Sequence, residues 1–146
     1  MSISVTEYCD TANELLGYIN AERVRVGAQP LVIDADLQEA AMQRSAEGAF
    51  VGGHKRPGSN VENFNTVDPT GKLRSENYSS ANASFGAAEI YRGWRNSSGH
   101  YKNMIDPQWR TIGLGITDRC SYIVFGYGEN LKQTTISGTH QKMRTV

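Results

Sequence analysis

The sequence predicts an α+β fold built from three helices and a small antiparallel sheet. Two segments with helical periodicity open the chain, a third starts at residue 84, and two short apolar strands come after them. Helices on both faces of such a sheet would form a sandwich, although the order of elements alone does not fix the layering. A chain of 146 residues is the size of one domain. We expect a single domain over residues 6–131, followed by a polar C-terminal tail over residues 132–146 that frays.

The first two helices are predicted from apolar residues that recur at helical spacing. The first covers residues 6–25, and Gly27 is placed to cap its end. The second starts at Asp36, with Glu39 three residues later as in a capping box, and ends near Gly48. Because its buried side is rich in alanine, another element must pack closely against it.

The middle of the chain predicts a long loop, and the end predicts a β-hairpin. Over residues 52–82 glycine, proline, asparagine and serine leave no periodic pattern. A third helix covers residues 84–96, with Trp94 as a core residue, and Ser98-Gly99 ends it. The strands cover residues 111–116 and 121–127, and the short turn between them is typical of a hairpin.

Composition and charge exclude several classes of partner. Fifteen basic and fifteen acidic residues cancel, so the chain has no electrostatic reason to bind nucleic acid or an anionic membrane. No apolar run approaches the roughly 18 residues of a membrane span. The first residues lack the features of a signal peptide, which leaves open a leader removed ahead of Met1. A neutral composition favours a monomer. Cys9 and Cys120 are either paired in one disulfide or two buried thiols.

Three histidines are the first candidates for chemistry. His54 lies in a glycine-rich loop and His100 follows a predicted helix end, whereas His140 in the tail has no expected role. Imidazole together with a carboxylate suits zinc and related divalent cations, and Glu62 and Glu76 lie between the first two histidines. These residues are too far apart in sequence to form a local metal motif, so taken alone they leave a metal site and ordinary loop residues both open.

Two blocks of sequence make the chain recognisable. Residues 94–104 read WRNSSGHYKNM, and residues 16–41 contain LGYINAER followed by a glycine, Pro30-Leu31 and LQEAA. Together with Ile112-Gly113-Leu114-Gly115, these blocks resemble the bacterial type of the CAP superfamily of cysteine-rich secretory, antigen 5 and pathogenesis-related proteins, also called the SCP domain.

The resemblance implies an α-β-α sandwich with a central cleft built around two histidines and one or two glutamates. His54 and His100 match the family's histidines, and Glu76 matches its first glutamate, whereas Glu62 comes too early. The second glutamate of eukaryotic members lies three residues after the tryptophan, where this chain has Ser97. A site with one carboxylate fewer should hold a cation more loosely.

The resemblance further implies a secreted, non-catalytic domain whose cleft binds a divalent cation such as zinc, with a small ligand or a peptide. The residues expected to do so are His54, His100 and Glu76 as metal ligands, and Asn77, Ser97 and Tyr101 as the lining of the cleft. Two alternatives stay open. One is a peptidase-like, metal-dependent hydrolase in which Glu76 takes a proton from zinc-bound water. The other is a structural module for a protein partner or an apolar ligand, in which the three ligands form only a polar network.

Overall fold

The computed structural model describes residues 1–146, which form four helices and six strands. The helices are α1 (Cys9–Arg25), α2 (Ala35–Glu47), α3 (Ala87–Arg95) and α4 (Ser98–Met104). The strands are β1 (Ser2–Tyr8), β2 (Val32–Ile33), β3 (Ser75–Ser79), β4 (Thr111–Ile116), β5 (Ser121–Gly126) and β6 (Thr139–Thr145). Short 3₁₀ turns lie at Phe64–Val67 and Ala83–Phe85. None of the helices combines the length and the apolar character needed to cross a membrane.

The central sheet has four strands in the order β2-β4-β5-β3. The predicted hairpin is present as β4 and β5, which pair antiparallel from Thr111↔Gly126 to Ile116↔Ser121. Strand β3 pairs antiparallel with β5, whereas β2 runs parallel to β4. The predicted α+β class is therefore confirmed, with one parallel edge strand in an otherwise antiparallel sheet.

Helices cover both faces of this sheet. On one face, Ile112, Leu114 and Ile116 of β4 belong to the larger apolar core, which includes residues of α1 and α3. On the other face, α2 lies close against β4 at Gly113 and Gly115, where an added Cβ would stand 2.1 Å from a backbone oxygen of α2. Successive residues of a strand point to opposite faces, so the alternation of isoleucine or leucine with glycine assigns each face its helix. The close packing predicted for the alanine-rich side of α2 is confirmed.

The start of each of the first two helices differs from the prediction. Helix α1 begins at Cys9 rather than at residue 6, because residues 2–8 form a strand. The N-cap of α2 is Asp34 rather than Asp36: its carboxylate accepts hydrogen bonds from the backbone N–H groups of Asp36 and Leu37, both at 3.0 Å. The predicted capping box with Glu39 does not form.

The C-terminal tail does not fray. Its residues 139–145 form β6, which pairs antiparallel with β1 from Ser2↔Thr145 to Tyr8↔Thr139, and we call this two-stranded pair the terminal ribbon. Arg144 of β6 holds it against the domain through ion pairs with Glu7 at 2.9 Å and Glu39 at 2.7 Å. The prediction was wrong because the partner strand lies at the opposite end of the chain.

The middle of the chain holds more regular structure than predicted, whereas Trp94 lies where it was expected. The predicted long loop contains β3, and Ser98-Gly99, predicted to break the third helix, starts α4. Trp94 is buried in the core, as predicted, and its Nε1 donates a hydrogen bond to the Tyr78 carbonyl at 3.0 Å. The two cysteines are buried and free, and burial raises the pKa of the Cys120 thiol to about 11.

Candidate functional site

A polar cavity of about 500 Å³ opens beside the edge strand β3. Strand β3 contributes Ser75, Glu76 and Asn77, and the region around α4 contributes residues 97, 99, 100, 102, 103 and 106. His54 enters from the loop that follows α2. No apolar side chain lines the cavity. The fold thus brings together five of the six residues expected in the cleft.

Tyr101 is the exception. It does not line the cavity, and its hydroxyl donates a hydrogen bond to Glu22 Oε2 of α1 at 2.5 Å. The guanidinium of Arg95 lies 4.0 Å from the centre of its ring. The expectation that Tyr101 shapes the cleft is corrected by these contacts, which join its side chain to α1 and to the end of α3.

Glu76 lies at the base of the cavity and is held by a buried arginine that the sequence did not reveal. Arg44 of α2 donates from Nε to Glu76 Oε1 at 3.0 Å and from Nη2 to Oε2 at 2.9 Å, a bidentate ion pair between two side chains with 0% exposure. Burial opposes the charge of Arg44, but the hydrogen bonds that it donates to Glu76 and Glu47, together with the negative charge of Glu76, raise its pKa overall.

His54 shares the same carboxylate. Its Nδ1 lies 2.9 Å from Glu76 Oε2, and its ring meets Phe64 edge to face at a centroid distance of 5.8 Å. The hydrogen bond to Glu76 raises the pKa of His54 above its usual value, and partial burial only weakens this effect. The second ring nitrogen, Nε2, has no partner within the protein and is the atom left for a ligand.

His100 also lines the cavity, and its Nδ1 is likewise engaged by a side chain. Ser97, the N-cap of α4, places its Oγ 2.8 Å from His100 Nδ1 instead of capping the helix with it. Asn77 Nδ2 donates to the His100 carbonyl at 3.0 Å and so ties β3 to α4. Burial and the neighbouring His54 lower the pKa of His100. The two imidazoles therefore differ in charge preference although they share one cavity.

The charged contacts continue away from the cavity. Arg44 Nη1 also donates to Glu47 Oε1 at 3.0 Å, and Glu47 in turn accepts from Arg56 Nη2 at 2.7 Å. Burial disfavours the charged form of Glu47, but the hydrogen bonds that it accepts from Arg56, Gln43 and Arg44, together with the positive charge of Arg56, lower its pKa overall. The sequence offers one signal for Arg44 and Glu47, namely two charged residues one turn apart on the alanine-rich side of α2.

The expected metal ligands do not form a three-ligand centre. No group of three or more His, Cys, Asp or Glu side chains is placed to hold a metal ion. Both oxygens of Glu76 already accept from Arg44 or His54, so the carboxylate orients His54 rather than facing the cavity as a free ligand. Catalytic zinc sites take three protein ligands. The donor set here fits at most a site with two histidine Nε2 atoms and water.

Residues 16–127 match the model of the Cysteine-rich secretory protein family, CAP. The uncharacterized protein YkwD of Bacillus subtilis is 30% identical over 103 residues, which cover 68% of this chain and 39% of YkwD.

Solved structures show the same fold. An extracellular protein containing an SCP domain from Bacillus anthracis superposes with a TM-score of 0.66 at 20% identity over 78% of this chain and 39% of that chain. An outer surface protein from Borrelia burgdorferi gives 0.64 at 18% identity over 92% of this chain and 100% of that chain. A cysteine-rich secretory protein from Staphylococcus aureus gives 0.61 at 17% identity over 81% and 38%. The chain thus spans about two fifths of the length of YkwD and of two of these structures.

Proposed function

Because the chain belongs to the CAP family of cysteine-rich secretory proteins, we propose that it is a secreted binding domain whose cleft takes a small polar ligand or a peptide, and a divalent cation at His54 and His100. The observation that supports this proposal most directly is the pair of imidazoles on one polar cavity, each with Nδ1 engaged and Nε2 free. Secretion is supported by the structural relatives, two of which are described as extracellular or outer-surface proteins.

The lining of the cavity selects the chemistry of the ligand. An apolar ligand would cover polar side chains without replacing their hydrogen bonds to water, which is unfavourable. A peptide or another polar ligand offers donors and acceptors in return. We therefore favour a polar or peptide ligand over the apolar one that the sequence left open.

A cation would be held by the Nε2 atoms of His54 and His100, with Glu76 orienting His54 from behind. Such an ion would polarise a ligand oxygen bound beside it. The hydrolase alternative gains no support from the geometry. Its base, Glu76, is fully buried, and both of its oxygens already accept hydrogen bonds in the ion pair with Arg44, which disfavours a proton on the carboxylate.

Calorimetric titration of zinc chloride into metal-free protein at pH 7.5 tests the cation part. We expect one weak site. His54→Ala and His100→Ala should each weaken it by more than the roughly 10- to 100-fold that loss of an outer-shell partner costs. His140→Ala is the matched control, because His140 lies in β6 and its Nε2 is already paired with the Ser137 carbonyl. No binding, or binding that survives both cleft variants, would leave a structural polar network as the role of these residues.

Triglycine is the probe for the peptide part. Added at millimolar concentration, it should shift the ring NMR signals of His54 and His100 and leave those of His140 in place. Unshifted signals from both cleft rings would contradict a peptide site.

A further inference from the structure

Helix α2 buries two opposite charges one turn apart, and the desolvation of a buried charge costs free energy that its contacts must offset. Arg44 and Glu47 have side-chain exposures of 0% and 2%. Apolar residues of similar volume are often at least as stabilising at such positions. The contacts of Arg44 therefore invite a functional explanation.

The Arg44 guanidinium acts on His54 from two directions. Through its bidentate pair it fixes the plane of the Glu76 carboxylate, whose Oε2 meets His54 Nδ1. Its Nη2 also donates to the carbonyl of Gly53 at 2.9 Å, directly before His54 in the chain. That carbonyl accepts a second hydrogen bond from the Tyr122 hydroxyl at 2.6 Å, and the Tyr122 ring lies 4.6 Å below the guanidinium. The ring of His54 and the backbone directly before it are thus both held by the buried guanidinium of Arg44.

This arrangement determines which ring nitrogen of His54 carries the proton. Glu76 Oε2 already accepts from Arg44 Nη2, and a carboxylate oxygen only accepts, so His54 Nδ1 must be the donor. In the neutral ring, a proton on Nδ1 leaves a lone pair on Nε2. The nitrogen that faces the cavity is then an acceptor, which is the form that a cation or a ligand N–H requires.

We propose that Arg44 is a positioning residue, which orients the Glu76 carboxylate so that His54 is held in its Nδ1–H tautomer with Nε2 free toward the cleft. The value of that orientation rests on the proposed function, since it matters only if Nε2 meets a ligand or a cation. The orientation itself is a property of the protein alone and can be measured without either.

The test is ¹⁵N NMR of the histidine rings above the pH at which His54 loses its charge, in the wild type and in Arg44→Lys. Lysine keeps the buried positive charge but cannot form the bidentate pair. We expect a single Nδ1–H form in the wild type and a mixture containing the Nε2–H form in Arg44→Lys. Glu47→Gln is the matched control, because it removes the other carboxylate partner of Arg44 and leaves the Glu76 pair intact.

Two results would overturn the inference. One is a wild-type His54 in the Nε2–H form, which needs no variant and so stands even if Arg44→Lys does not fold. The other is a folded Arg44→Lys protein that keeps the wild-type tautomer. If the wild-type protein binds neither zinc nor triglycine but shows the Nδ1–H form of His54, the proposed function is refuted and this role of Arg44 remains in place.

Discussion

Replacing Gly113 by alanine tests how closely α2 packs against the central sheet. A Cβ at this position would lie 2.1 Å from the Leu37 oxygen and 2.3 Å from the Leu37 carbonyl carbon, whereas ordinary contacts begin at 3.4 Å. These are backbone atoms, so no side chain can rotate away. Helix α2 must therefore move from β4 by more than 1 Å, or the strand must buckle.

The expected cost has two parts. Overpacking of a close-packed interface costs about 1–3 kcal/mol. A retreat of α2 also separates Gln38 from Leu114, between which Nε2 donates to the carbonyl at 2.8 Å and Oε1 accepts from the N–H at 2.9 Å. Each of these hydrogen bonds contributes about 1 kcal/mol. We expect Gly113→Ala to lower the free energy of unfolding by about 3–5 kcal/mol, a large part of the roughly 5–15 kcal/mol typical of a domain.

Urea unfolding followed by circular dichroism provides the measurement. Gly93→Ala is the control, since Gly93 lies within α3 and an added Cβ there meets no atom within 4 Å. That change should raise the free energy of unfolding by about 0.5–1 kcal/mol, the helix preference of alanine over glycine. A loss below about 1 kcal/mol in Gly113→Ala, or an equal loss in both variants, would refute the packing argument.

Two further predictions concern the cleft histidines and the terminal ribbon. NMR titration should place the pKa of His54 above 6.5 and that of His100 below it. The His54–Glu76 contact then adds to the free energy of unfolding below pH 6.5, and this contribution is lost as pH rises through the raised pKa of His54. His100 acts in the opposite sense, because the free energy of unfolding decreases as pH falls from 6.5 through its lowered pKa. Coincident titrations of the two histidines would contradict this. Arg144→Met should lower the free energy of unfolding by about 3 kcal/mol because Glu7 loses its buried partner, and adding Glu7→Gln should restore part of the loss in urea unfolding. An unchanged stability in Arg144→Met would mean that the ion pair does not secure the ribbon.

Local patterns allowed the centre of the fold to be predicted, and distant pairings prevented the rest. The β4–β5 hairpin is encoded by two adjacent apolar segments, and the close packing of α2 on the sheet is encoded by alanines on one side of that helix. The terminal ribbon joins residues at opposite ends of the chain, and β6 is exposed and polar, so no apolar alternation marks it. Strand β3, SENYS, is also largely polar because it is an edge strand that lines the cavity.

The candidate site shows the same division. The resemblance to a family placed His54, His100 and Glu76 in one cleft, and all three line the cavity, although their spacing in the sequence alone did not indicate this. It could not reveal that Arg44 occupies both oxygens of Glu76, because that ion pair joins residues 32 positions apart. Tyr101 was misplaced for a similar reason, since its hydroxyl is bound by a carboxylate of α1.

The terminal ribbon also determines how the domain would respond to tension. The Met1 amino group donates to the Val146 carbonyl at 3.2 Å, and the Val146 N–H donates to the Met1 carbonyl at 2.8 Å, so the two ends of the chain leave side by side. A force that draws these ends apart acts on the ribbon from its open end, one strand pair after another, instead of loading all its hydrogen bonds together. The ribbon therefore opens before the central sheet comes under tension, and a tethered domain would keep its cleft intact through the first extension.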